Sequence, residues 1–219
     1  MSIEDTELCD RYAGLYTGAV TDSLDELGYE NQTLPSEINP IDDEFVTAGF
    51  AYPVRGRPDD DADYDENIRR FLEMLSDAPE NSVIAYETHD DDAAHIGELS
   101  TTALQERGCR GAIVDGGARD LGYILEQGFP VFSRYRTPAD APPRWRLDEW
   151  NVSIEVGDIQ ITPGDVLVGD IDGVVCVPAD RRVEVLERAE ALVETEDDVR
   201  AAVREGVDPV TAYERYGTF

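Results

Sequence analysis

Two short stretches carry residue types able to do chemistry together. The first is Gly116-Gly117-Ala118-Arg119-Asp120, which follows the apolar run Ala112 to Val114 within a segment from Gly108 to Asp120. Glycines at a strand exit let backbone come close to a ligand. An adjacent arginine and aspartate there offer an anion clamp beside an oxygen ligand for a metal. The plain alternative is a tight turn with a surface ion pair. The second stretch is Gly97-Glu98-Leu99-Ser100, small residues leading into a helix that stops at Gly108. Its first-turn N–H groups are left open, which suits a bound carboxylate; a glycine-led helix start with no ligand is the plain reading. Carboxylate, arginine and open amides together suit a 2-oxo acid, and oxygen ligands without a His/Cys cluster favour Mg2+ or Mn2+ over zinc.

Composition narrows the chemistry. All 18 basic residues are arginine, so no lysine is available for a Schiff base, for pyridoxal phosphate or for a GK[ST] phosphate loop. Asp plus Glu number 49, for a formal net charge of −31. That charge repels phosphates and anionic lipid, which argues against nucleic-acid and membrane partners. Self-repulsion of this size is largely screened at about 1 M salt, where the Debye length is about 3 Å. The acid excess is therefore read as adaptation to a salt-rich cytoplasm, and full folding without salt in a melting experiment would count against it. Cys9, Cys109 and Cys176 form no C-x-x-C pair and suit a reducing compartment. The N-terminus is acidic from the start, with no signal-peptide or membrane-span pattern.

The elements that must position these residues read as follows. Ser2 caps a first helix to about Tyr16, and Thr17 to Leu27 forms a second, carrying Asp22 and Asp25 off its apolar face. Phe45 to Val54 is a strand closed by Arg55 to Pro58. The run Asp59 to Asp63 is solvated surface rather than a metal loop. Ile68, Phe71, Leu72 and Leu75 make a helix face, Ser82 to Tyr86 a strand, and Glu87 to Ala94 an acidic loop with an exposed His89. His95 reads as structural. Leu121 to Gln127 is a short helix, Val131 to Arg134 a strand and Thr137 to Arg146 a proline-rich loop. From Asn151 short strands with turn dipeptides suggest a meander, in which Asp170 and Asp172 serve a turn. A long helix, broken near Thr195, spans Ala179 to Glu205, and a tail holds Tyr213 and Tyr216. The chain of 219 residues is taken as one domain, α/β with a mixed sheet or two sheets, not a doubly wound nucleotide fold.

In order along the chain, Gly97-Glu98-Leu99-Ser100-Thr101-Thr102-Ala103-Leu104, Gly108-Cys109-Arg110-Gly111, Asp115 to Asp120, Pro163-Gly164-Asp165-Val166 and Asp172-Gly173-Val174-Val175 resemble the RraA-like family. That family holds 4-hydroxy-4-methyl-2-oxoglutarate aldolases and proteins named for regulating ribonuclease E. The resemblance covers about residues 10 to 210. It implies a swivelling β/β/α domain assembled as a homotrimer or homohexamer, with active sites between subunits. It further implies that Asp120 binds the divalent metal, that Arg119 contacts pyruvate and its enolate, and that Glu98, where aldolases usually carry aspartate, holds metal-bound water. Amides near Gly97, Leu99 and Ser100 would bind the pyruvate carboxylate. Acids from a neighbouring subunit match Asp22 and Glu196. The implied activity is metal-dependent retro-aldol cleavage of hydroxy-oxoglutarate-type acids or decarboxylation of oxaloacetate. The alternative is a non-catalytic regulator. A methyltransferase fits least, because Asp115 to Asp120 is not a G-x-G-x-x-G turn. Arg134 or Arg136 could take a second carboxylate, and surface salt bridges account for them equally well.

Overall fold

Alternation along the strands sorts the apolar side chains into separate bodies. In β2 (Thr47–Pro58) Ala51 faces one body, while Tyr52 and Val54 face another. The same parity holds in β3 (Ser82–Glu87), where Val83 and Ala85 oppose Ile84 and Tyr86, and in β5 (Gly111–Ala118), where Ile113 opposes Ala112 and Val114. Side chains two apart share a sheet face, so each strand presents one set inward and one outward.

The computed structural model describes residues 3–219. Around these strands lie α1 (Asp5–Ala13), α2 (Thr17–Glu26), β1 (Asn39–Pro40), α3 (Tyr64–Asp77), β4 (Ala94–Ile96), α4 (Glu98–Glu106), α5 (Leu121–Gln127) and β6 (Val131–Arg136). The second half adds β7 (Trp145–Trp150), β8 (Ile154–Val156), β9 (Ile159–Ile161), β10 (Val166–Asp170), β11 (Gly173–Val177), α6 (Arg182–Arg204) and α7 (Pro209–Tyr216). The main sheet has nine strands with a path β1-β6-β5-β3-β2-β10-β11, β4 pairing β5 and β7 pairing β2. The run β6, β5, β3, β2 is parallel, and β1, β7, β10 and β11 join antiparallel to their neighbours.

Beyond β11, Leu34 N–H donates to Val174 O and Cys176 N–H to Gln32 O, both at 2.9 Å. The chain then enters β1, whose Asn39 stands opposite Ser133 of β6. This segment lies against both edges and nearly closes the sheet, which removes most of the open edge. Inside sit Ile113, Phe132, Leu167, Val174 and Cys176, and the β8–β9 hairpin plugs one end with Ile154, Val156, Ile159 and Ile161. Burial of each such side chain contributes about 1.5–3 kcal/mol. Outside, α3, α4 and α5 cover Tyr52, Val54, Ile84 and Val114, while α1, α2 and α6 cover Ala48, Val166, Val168 and Val175. The result is a mixed α/β fold with flanking helices, as expected.

Several local readings change. Ser2 lies outside the described residues; Glu4 holds the cap position of α1 without a side-chain bond. β2 runs on through Arg55 to Pro58, with a bulge between Arg55 and Gly56, because β7 pairs with it there. The expected meander divides: β8 and β9 form their own hairpin, and β10 and β11 enter the main sheet. Asp165 accepts from Thr162 N–H at 2.7 Å and Ala179 N–H at 2.9 Å, fixing the turn between them. α6 is unbroken at Thr195, whose hydroxyl donates to Ala191 O, and the tail contains α7, capped by Asp208. On α3, Phe71, Met74 and Leu75 are buried, but Leu72 is 56% exposed. The acidic run is surface: Asp63 caps α3 and Asp59 pairs with Arg146. The three cysteines are free and buried.

Candidate functional site

The ends of two parallel strands bring the two chemical stretches together. β4 pairs with the end of β5 through Ile96 and Ala118, and Arg119 N–H donates to Ile96 O at 3.0 Å. The residues immediately after each strand, Gly97 and Arg119-Asp120, therefore share one rim. Carboxyl ends of parallel strands are where α/β sheets open a crevice for ligands.

Two glycines make that approach possible. A Cβ at Gly97 would stand 2.8 Å from Asp120 Oδ2 and 3.2 Å from Arg119 Cγ. A Cβ at Gly116 would meet His95 Nδ1 at 2.6 Å and Thr88 Oγ1 at 2.9 Å. Real Cβ atoms essentially never come closer than 3.0 Å, so a larger residue at Gly116 would press on the buried His95 ring, and one at Gly97 would displace the Asp120 carboxylate.

Asp120 opens α5 in the left-handed region, with φ 58°, and makes no side-chain cap bond to that helix. A non-glycine residue there is uncommon and costs on the order of 1 kcal/mol. Its Oδ2 lies 3.4 Å from Glu98 N and 3.4 Å from Arg119 Nε, both at the long end of useful contact. Arg119 Nη1 reaches Asp140 at 3.1 Å. Asp140 was not anticipated. It is held because Ala94 N–H donates to Ala139 O at 2.7 Å and Ala141 N–H donates to Ala94 O at 3.2 Å, which fastens the 139–141 loop to β4. Its signal in the sequence is one acid among the small and proline residues of Pro138-Ala139-Asp140-Ala141-Pro142.

Gly97, Leu99, Ser100, Arg119, Asp120 and Asp140 are among the residues that line a cavity of about 300 Å³. Gly97 is the cap position of α4 and supplies no side-chain bond to its first amides. Leu99 is 79% exposed. The Glu98 carboxylate turns away along its helix, where Oε1 accepts from Thr102 at 3.1 Å and Gln127 at 3.5 Å; it does not line the cavity. Asp22 is exposed on α2, and Glu196 on α6 accepts from Tyr16 and lies 4.0 Å from Arg200. Neither lines this cavity. Among the described residues, no three His, Cys, Asp or Glu side chains gather around one point.

His95 adjoins the cavity and is buried, with its ring edge-on to Trp145 at 4.9 Å. Burial lowers its pKa to about 4, with Asp90, 3.2 Å away, pulling in the opposite direction. The ring is thus neutral near pH 7. Arg134 is occupied by Asp91 and Asp115, while Arg136 donates to Ile41 O. Asp170 accepts from Thr17 N–H and hydroxyl, both at 2.8 Å, and serves the fold as a cap.

These features define a nearly closed mixed α/β protein with an arginine–aspartate rim at the ends of its parallel strands. The chain belongs to the RraA-like family (Aldolase/RraA), whose family model matches residues 7–176. Over 213 residues it is 27% identical to a protein of Halalkalibacterium halodurans named as a candidate 4-hydroxy-4-methyl-2-oxoglutarate aldolase, covering 97% of this chain and 96% of that one. A solved structure described as one of a set of novel cellulases from gut-associated microbes superposes with a TM-score of 0.85 at 36% identity, covering 90% of this chain and 89% of that one. Streptomyces coelicolor RraAS2, described as an unusual member of the RNase ES inhibitor family, matches in fold with a TM-score of 0.80 at 22% identity, covering 91% and 99%. No helix among the described residues is long and apolar enough to cross a membrane.

Proposed function

We propose that this protein is a pyruvate-releasing lyase that cleaves 4-hydroxy-2-oxo acids of the 4-hydroxy-4-methyl-2-oxoglutarate type, with oxaloacetate decarboxylation as a related activity. The observation that carries the reading is the convergence of Asp120, Arg119 and the uncapped start of α4 on one cavity. The relative named for aldolase activity supports it.

The first-turn amides of Leu99 and Ser100 bind the substrate carboxylate, favoured by the positive end of α4. Arg119 is oriented by Asp140 and Asp120 so that its guanidinium meets the C2 oxygen as negative charge develops there. A fixed cation at that point stabilises the enolate more than the starting ketone, which is the condition for lowering the barrier. Asp120 would hold Mg2+ or Mn2+. Its uncapped, loosely contacted carboxylate suits a cation that keeps most of its water and takes only one or two protein carboxylates. When bound, such an ion supplies Lewis-acid polarisation of the carbonyl. Proton transfer falls to a water ordered by the carboxylates at the rim, with further acids such as Asp22 and Glu196 supplied by a neighbouring copy in a trimer or hexamer. No lysine is required, and none is present.

The other names among the similar proteins draw less support. Glycoside hydrolysis uses two carboxyl groups flanking the bond, one of them a free acid; here Asp120 and Asp140 both engage Arg119. A non-catalytic regulator would not need this rim. The test is coupled detection of pyruvate in high salt, with and without Mg2+ or Mn2+, from 4-hydroxy-2-oxo acids and oxaloacetate. Metal-dependent release supports the proposal. Silence across the whole panel, alongside capture of a ribonuclease, transfers the case to the regulator.

A further inference from the structure

Arg119 stands between two carboxylates that are held in unlike ways. Asp120 follows it in the chain, and the closest approach of that pair is Nε to Oδ2 at 3.4 Å. Asp140 comes from the loop before β7, and its Oδ1 lies 3.1 Å from Nη1. Among the described residues, these are the two acids within 4.0 Å of the Arg119 guanidinium.

All three side chains are a third to a half exposed. An exposed ion pair contributes little when both long side chains must first be ordered. Asp140 needs little ordering. Ala94 N–H donates to Ala139 O and Ala141 N–H to Ala94 O, so Asp140 is fastened to β4 from both sides. Arg144 Nη1 donates to the Asp140 main-chain oxygen. The Arg144 and Trp145 amides close the next turn on Ala141 O at 2.9 and 2.8 Å. Buried Asn67 of α3 then donates to Pro142 O at 3.0 Å and Trp145 O at 2.6 Å. β4 also offers Ile96 O to the Arg119 N–H, so the acid and the arginine hang from one strand. These contacts lie within one chain and do not depend on a neighbouring copy.

Resting on the lyase reading, we infer that Asp140 is a positioning residue that draws the Arg119 guanidinium off Asp120 and so keeps the Asp120 carboxylate free for a divalent cation. Opposite charges on adjacent residues otherwise close on each other, and a bidentate arginine–carboxylate contact is the strongest form of such a pair. An arginine closed on Asp120 would harm the site twice. Its guanidinium would leave the C2 oxygen, and the aspartate would meet an incoming cation already paired. Asp140 takes Nη1 while Asp120 approaches Nε, so the second anion divides the attraction of the fork. Glu98 cannot do this, because its carboxylate lies along α4 with Thr102 and Gln127.

The experiment compares wild type, Asp140→Ala, Asp140→Asn and the double variant Asp140→Ala/Arg119→Ala, each as the full chain in about 1 M KCl. Free Mn2+ is followed by electron paramagnetic resonance, pyruvate release gives kcat and KM, and light scattering checks that the assembly is the same. If losing the Asp140 oxygen leaves Asp120 open about a tenth of the time, apparent Mn2+ affinity falls about 10-fold in Asp140→Ala. Its kcat is expected to fall about 100-fold, the scale for a group misplaced by about 1 Å. KM should change little, since the α4 amides still hold the substrate carboxylate. Asp140→Asn keeps an accepting oxygen without the charge and is expected to lie between wild type and Asp140→Ala in both readouts. Removing the arginine as well is expected to restore Mn2+ affinity, which repair of mere structural damage would not do.

Wild-type Mn2+ affinity and kcat in Asp140→Ala would overturn the inference and leave the lyase reading standing. So would Asp140→Asn as weak as Asp140→Ala, which assigns the effect to charge alone, or a double variant that stays weak. A wild type that neither binds Mn2+ nor releases pyruvate takes down both.

Discussion

Asp120 and Asp170 both stand where a strand of the same sheet ends, and they are used in opposite ways. Asp170 is 8% exposed and saturated: it accepts from Thr17 N–H, Thr17 hydroxyl and Asp172 N–H within 2.9 Å. Asp120 is about half exposed at its side chain, sits at positive φ, and has only 3.4 Å contacts. One carboxylate ties α2 to the β10–β11 turn. The other stands half exposed at the mouth of a cavity, with only long protein contacts. A buried, fully bonded acid marks structure, and a half-exposed acid on a strained backbone beside a cavity is a candidate for ligand contact.

The sharpest way to break this contrast is Asp120→Asn, which keeps the left-handed backbone while removing the charge. Turnover is expected to fall about 10³-fold, because metal polarisation and charge stabilisation are each worth several kcal/mol. The melting temperature should move by no more than about 2 °C, since so little native bonding is lost. Asp170→Ala should do the reverse. Losing three bonds to a buried carboxylate costs on the order of 2–3 kcal/mol, a drop of about 5–10 °C for a chain of this size, with activity per folded molecule retained. Thermal melts and pyruvate assays on both variants check the pair.

His95 sharpens the comparison from behind the rim. Its folded pKa, about 4, lies below the ordinary value because burial disfavours the cation. As pH falls from about 6.5 towards 4, the unfolded chain takes up the proton first, so stability drops across that window. Denaturant titrations should show wild type losing on the order of 2 kcal/mol more than His95→Gln between those pH values. The smallest expected effect is Gly97→Ala. Its ordinary extended backbone tolerates alanine, but the new Cβ presses on Asp120 Oδ2. A loss of about 10-fold in kcat/KM with little change in melting is expected, consistent with a sub-ångström displacement at the rim.

Legibility followed how local the determinant was. α5 was readable to its ends because Gly128 stops it and its apolar residues are adjacent in the chain. The Arg119–Asp120 and Gly97 stretches were readable because their chemistry lies in neighbouring residues. Asp140 was missed because its role comes from pairing of its loop with β4, 46 residues earlier by the Ala94–Asp140 bridge. β7 was missed because Trp145 to Trp150 alternates weakly and is stabilised by β2 across the bulge. The Glu98 carboxylate is drawn along its helix by Thr102, a neighbour at i+4, and by the more distant Gln127, which no local pattern reports.

The central claim is that Asp120 is held open for a divalent cation. It is tested most directly by titrating Mn2+ into wild type and Asp120→Asn and following free Mn2+ by electron paramagnetic resonance, in about 1 M KCl to screen the acidic surface. The account predicts one tight site per chain in wild type, strengthened by pyruvate, and its loss in the variant. Equal tight binding by both proteins, with or without pyruvate, would contradict it.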